Sequence, residues 1–122
     1  MATESELEIT VSQIEHGIRQ KNQLLNAKNK EYVNLVETRA QKKREWKIAY
    51  RLKMIELSGE PATTKKDMVN GDRNVSKLEM EFEIALGVEK ACYESMKDLR
   101  SQIDALRSFL SWHKSERFGS SI

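Results

Sequence analysis

Apolar residues in the first half of the chain recur at steps of four and three: Leu7, Val11, Ile14, Ile18, Leu25, Tyr32 and Leu35, with Lys21 and Lys28 taking two of the seam positions. This spacing is a heptad, and it predicts an amphipathic helix whose stripe faces another helix. Near Val36 and Ala40 the stripe drifts by one place, passes Lys43, and resumes as Trp46 or Lys47, Tyr50, Met54 and Leu57. We expect one helix over about 5–57, on the order of 80 Å long at about 1.5 Å per residue, with its continuity across Val36 left open.

A second stripe runs Val75, Leu78, Phe82, Ala85, Glu89, Cys92, Met96, Leu99, Ile103, Leu106, Leu110 and His113 without a break in the three-four spacing. It predicts a helix over about 74–117, capped by Asp72 or Asn74, followed by a frayed tail at 118–122. Between the helices, Gly59 is suited to ending the first and Pro61 blocks its continuation. Thr63 or Thr64, followed by Asp67, Asn70 and Gly71, suggests a short capped helical turn around Lys65 to Val69. The connection, 58–73, is long for a helix pair and either carries function or forms a small structured cap.

Two helices of similar length joined in this way predict an all-α fold, a long antiparallel helical hairpin of coiled-coil type with a structured connection. With the turn centred near residue 66, Glu89 should lie near Lys42 and Lys43, and Asp104 near Lys28. Polar breaks in one stripe would then meet opposite charge on the other and set the register. The alternative is that these charges reach water independently along their aliphatic stems.

Composition narrows the picture to one domain. The chain has 122 residues, one proline and five glycines, too little punctuation for a many-turned β fold. A mean hydropathy of −0.67 argues against a large private core and favours an elongated or oligomeric protein. The lone Cys92 excludes an internal disulfide, and the acidic start MATESELEIT lacks the features of a secretory leader, so a cytoplasmic location is expected. The net charge of +2 is uninformative until its distribution is considered.

That distribution is uneven. The stretch Arg39 to Lys53 contains seven basic residues and one acid, with Trp46 and Tyr50 one turn apart. Lys42, Lys43, Arg44, Lys47 and Arg51 are candidate contacts to nucleic acid or an acidic partner, with Trp46 and Tyr50 as possible stacking groups. The competing reading makes the cations a solvated face, partly neutralised by Glu79, Glu81 and Glu83 beside Arg51 and Lys53, and makes the aromatics part of the seam.

Ile48, Leu52 and Ile55 form a second apolar ridge beside this stretch, and Met80, Ile84 and Val88 do the same on the second helix. One seam cannot bury both faces, so these six residues are a candidate interface for a second copy, most simply completing a four-helix bundle. Packing beneath the connection is the alternative. Phe109, Trp112 and Phe118 should lie near Ile14 and Ile18, capping the hairpin or offering a smaller patch.

No catalytic constellation is expected. His16 and His113 are the only histidines; the register puts His113 near Arg19 and away from Cys92, which reads as a small core residue. His16 with Glu15, or His113 with Glu116, would need further ligands to hold a metal. The glycines form no phosphate loop, and Gly87 in mid-helix allows another backbone to approach closely. No cofactor, small-molecule substrate or membrane partner is implied.

The segment YRLKMIELSGEPATTKKDMVNGD, continuing through ALGVEKACYESMKDLRSQIDALRSFL, resembles small coiled-coil proteins of bacteriophages from Gram-positive bacteria. The similarity covers about residues 50–113 and includes the Asp67, Gly71 and Asp72 stretch, while the Leu7 to Lys43 half has no match. It implies an accessory role among phage replication and recombination functions, inside the host cell, and no catalytic residue. The alternative is a protein-interaction module, such as an inhibitor of a host or immunity enzyme, a virion assembly factor or a chaperone-like clamp.

Overall fold

The computed structural model describes the backbone of residues 4–119 and the side chains of residues 10–116. Three helices follow in order: α1, Glu4–Glu56; α2, Ala62–Gly71; and α3, Arg73–Gly119. The long helices α1 and α3 pack against each other as a hairpin, and α2 occupies the connection. Helix α1 is continuous through Val36, and α3 persists through Gly119. The seam residue Leu7 and the aromatic Phe118 fall outside the described side chains, and tail residues 120–122 fall outside the described residues.

The hairpin divides into two compact units, one made of residues 31–92 and the other of residues up to 30 with those from 93 onward. In the 31–92 unit the α1 row turned from solvent is Tyr32, Leu35, Arg39, Lys42, Trp46, Ala49 and Lys53. That row keeps three-four spacing; of the drifted stripe, Val36, Tyr50, Met54 and Leu57 are half-buried beside it, whereas its passage through Ala40 and Lys43 is a misreading. Arg39 and Lys42 occupy the positions that the drift gave to Ala40 and Lys43, both of which are exposed. Opposite lie Val75, Leu78, Phe82, Ala85, Glu89 and Cys92, with Val75, Glu89 and Cys92 buried.

The other unit continues the same logic with Val11, Ile14, Ile18, Lys21, Leu25 and Lys28 half-buried on α1. On α3 its core is Met96 and Ile103, flanked by the half-buried Leu99, Leu106, Leu110 and His113. Lys21 Nζ donates a 2.6 Å hydrogen bond to Gln102 Oε1, and Lys114 pairs with Glu15 at 3.8 Å. A cation in a seam is tolerated here because its long stem packs while its head finds an acceptor at the edge.

The connection is a structured cap. After Glu56 the chain turns through bonds from Leu57 N–H to the Lys53 carbonyl (3.1 Å) and from Glu60 N–H to the Leu57 carbonyl (3.0 Å). No described glycine has a positive φ, so Gly59 does not supply a left-handed helix end. Pro61, extended at φ −58° and ψ 146°, stands at the N-cap of α2 without a side-chain cap; its carbonyl accepts the Lys65 N–H at 2.8 Å. Neither Thr63 nor Thr64 caps α2, because the helix already starts at Ala62, with Pro61 at the N-cap two residues before Thr63.

Asp72 joins α2 to α3. Its N–H donates to the Val69 carbonyl at 3.2 Å, closing α2, while its Oδ2 accepts the Val75 N–H at 3.0 Å and its carbonyl accepts the Ser76 N–H at 2.9 Å, opening α3. An aspartate is suited to this place because its carboxylate satisfies an orphan N–H at the positive end of the helix. Val69, fully buried, holds α2 down.

Candidate functional site

Heptad geometry sorts the basic stretch of α1 into two sets. Lys42, Glu45, Trp46, Ala49, Tyr50 and Lys53 turn partly inward, whereas Lys43, Arg44, Lys47 and Arg51 are exposed. Lys42 Nζ lies 3.7 Å from Glu45 Oε2 and 3.5 Å from Glu81 Oε2. Lys53 Nζ lies 3.4 Å from Glu56 Oε2 and 3.6 Å from Asp72 Oδ1. The four outward cations make no ion pair among the described residues and border an open recess with Ala40 and Ile48. Neutralisation of the stretch is thus partial: Glu81 engages Lys42 and Asp72 engages Lys53, whereas Arg51 has no acidic partner among the described residues.

The aromatics belong to the hairpin. Trp46 stacks on Phe82 with ring centroids 5.5 Å apart and an interplanar angle of 19°, and its Nε1 is buried without a hydrogen-bond partner. Tyr50 is half-buried one turn further on. With Trp46 committed to Phe82, the interleaved stacking platform expected for single strands loses one of its two rings.

The register pairs need correction. Glu89 is bound by Arg39, whose Nε donates to Oε2 at 2.7 Å and whose Nη2 donates to Oε1 at 3.3 Å, rather than by Lys42 or Lys43. The facing positions are offset by about one turn, because α1 and α3 end and begin at Glu56 and Arg73, placing the turn centre earlier than residue 66. Asp104 is 76% exposed at its side chain and pairs with Arg107 on its own helix at 3.9 Å, while Lys28 is half-buried. Arg39 was missed because a basic residue resembles a solvent-facing one; its position between Leu35 and Lys42 in the unbroken spacing is the signal that identifies it.

All six ridge residues are exposed: Ile48, Leu52 and Ile55 on α1, and Met80, Ile84 and Val88 on α3, at 47% to 70%. They do not pack beneath the connection. Two troughs mark this face. One is lined by Ile48, Leu52, Val75 and Leu78, with Glu45 at its edge, and the other by Leu35, Ile84, Ala85 and Val88, with Lys42 and Glu81. The Glu45, Lys42 and Glu81 chain of ion pairs lies between them.

The remaining candidates offer less chemistry. His16 is exposed; His113 is half-buried against Phe109 and Trp112, with ring centroids at 6.5 and 4.8 Å, and its Nδ1 is buried without a partner. Phe109 and Trp112 are themselves more than half exposed. Among the described residues no three His, Cys, Asp or Glu side chains group to hold a metal, and no helix is long and apolar enough to cross a membrane. No residue approaches closely at Gly87, where a Cβ would meet nothing within 4 Å. Among known proteins, no family, no curated protein and no solved structure matches this chain.

Proposed function

We propose that this protein is a non-catalytic accessory factor that contacts the phosphate backbone of nucleic acid through Lys43, Arg44, Lys47 and Arg51. The observation that supports it is the contrast within one stretch of helix: Lys42 and Lys53 are held by acids of the hairpin, while these four cations face solvent without an ion pair among the described residues. Neutralising phosphates releases condensed counterions, so affinity would come mainly from charge and vary little with sequence. The resemblance of residues 50–113 to small phage coiled-coil proteins suggests replication or recombination as the setting.

The test is a salt titration on duplex and single-stranded DNA. Four contacts per copy give a slope of log affinity against log salt of about −3.6 on duplex and about −2.8 on single strands. Reversing Lys43, Arg44, Lys47 and Arg51 to Glu should abolish binding, while reversing the paired Lys97 should not. Absence of binding at low salt removes the proposal.

The second reading, a protein-interaction module acting on a host enzyme, a virion component or a client chain, is favoured by the six exposed aliphatic residues. A stoichiometric protein partner that survives nuclease treatment and is lost on Leu52→Glu, but not on charge reversal of the basic strip, would select it.

A further inference from the structure

We propose that the aliphatic face of the 31–92 unit is covered by a second copy of this chain, with the α1 ridge of each copy lying over the α3 ridge of its partner. This is independent of nucleic-acid contact. The first argument is area. At roughly 200 Å² for a fully exposed large aliphatic residue, exposures of 47% to 70% leave about 700 Å² bare on each copy, close to the ~800 Å² per partner of a standard stable interface.

The second argument is spacing. Ile48, Leu52 and Ile55 follow one another at steps of four and three, and Met80, Ile84 and Val88 at steps of four, the rows that a facing helix interlocks with. The ridges span about 10 and 12 Å at 1.5 Å per residue, so a two-fold operation can lay one over the other at matched length, as a self-complementary interface requires. Charge agrees: Lys42, between the two troughs, is already paired with Glu45 and Glu81 and leaves no bare cation for the partner to desolvate. The basic strip borders a different recess and shares only Ile48 with the first trough, so Lys43 and Lys47 lie off the covered face while Arg44 and Arg51 flank its edge.

Light scattering over a concentration series should give a mass of twice 14.2 kDa at high concentration, falling toward 14.2 kDa on dilution. Leu52→Glu and Ile84→Glu, both at exposed positions, should each shift the protein to monomer at every concentration while leaving its helical circular dichroism unchanged. Disulfide trapping gives a readout that does not depend on disrupting the interface. In a Cys92→Ser background, Leu52→Cys mixed with Ile84→Cys should form a covalent dimer faster than either alone. A mass fixed at 14.2 kDa, a dimer indifferent to both glutamates, or faster trapping of either variant with itself overturns the proposal. So does monomeric protein that floats with anionic vesicles and loses that flotation on Leu52→Glu.

Discussion

Arg39 and Glu89 form a two-pronged ion pair within the seam, Nε to Oε2 at 2.7 Å and Nη2 to Oε1 at 3.3 Å, and the two partners differ in access to water. The side chain of Glu89 is 10% exposed and that of Arg39 is 29% exposed. Bonding to Glu89 raises the proton affinity of the Arg39 guanidinium still further, so Arg39 remains charged at any ordinary pH. Because a buried carboxylate without its partner is costly whereas a long cationic stem can reach solvent, the two deletions should be unequal. Arg39→Met should lower Tm by about 5 °C or more, and Glu89→Leu by clearly less. The double variant should recover most of the loss, since an apolar pair suits a seam. Thermal melts of the three proteins check this; equal losses, or a double variant at the sum of the singles, would remove the argument.

Asp72 ends one helix and begins the next, so its side chain should matter beyond its exposure. The Val75 N–H holds its carboxyl below the usual carboxylate range, and Lys53 adds to the effect, against an opposing cost of burial. A folded-state value lower than the unfolded one means that this stabilisation is complete above the unfolded carboxyl range, near pH 4, and is lost as pH falls through the lower folded value. Asp72→Ala should lower Tm by a few degrees at pH 7, and Asp72→Asn by less, because asparagine still caps. The gap between Asp72→Asn and the parent should close as pH falls through that lowered folded value. Melting curves from pH 2.5 to 7 test it, and a gap that persists at the acid end contradicts it.

Residues along the seam show what the amino-acid pattern can reveal. On α3 every expected stripe residue from Val75 to His113 is buried or half-buried, because nearly all are apolar and their period is unmistakable. On α1 the same period passes through Lys21, Lys28, Arg39, Lys42 and Lys53, and a polar residue at a seam position looks like a slip of phase. Only the acceptors on the other helix, Gln102 for Lys21, Glu89 for Arg39 and Glu81 for Lys42, show that the seam runs on through these cations. The basic strip was legible as charge; which cations remain available depends on those pairings and was not. Ile48, Leu52 and Ile55 were legible as surplus because an apolar ridge off the seam has no partner within two helices.

Val69 tests whether α2 is part of the cooperative fold. It is fully buried in a ten-residue helix that is too short to persist alone, so its packing must hold α2 in place. Val69→Ala should cost about 1–2 kcal/mol and Val69→Asp considerably more. Limited proteolysis should then cut the 58–72 segment first. If cleavage there accelerates while the Tm of the hairpin is unchanged, α2 is an independent flap rather than part of the cap.

Gly17 and Gly87 both interrupt long helices, and neither has a positive φ that would require glycine. A Cβ at Gly87 would meet nothing within 4 Å, and one at Gly17 would lie 3.6 Å from Leu106 Cδ1, an ordinary contact. Alanine at either position therefore restricts the unfolded chain without crowding the folded one, and each substitution should add about 0.5–1 kcal/mol. Gly17→Ala should gain slightly more than Gly87→Ala, because its methyl group also covers apolar surface against Leu106. Urea unfolding with an unchanged m-value would confirm both gains as stability. If Gly87→Ala were instead destabilising, something outside this chain would have to approach Gly87 closely, and the position would join the surface covered by a partner.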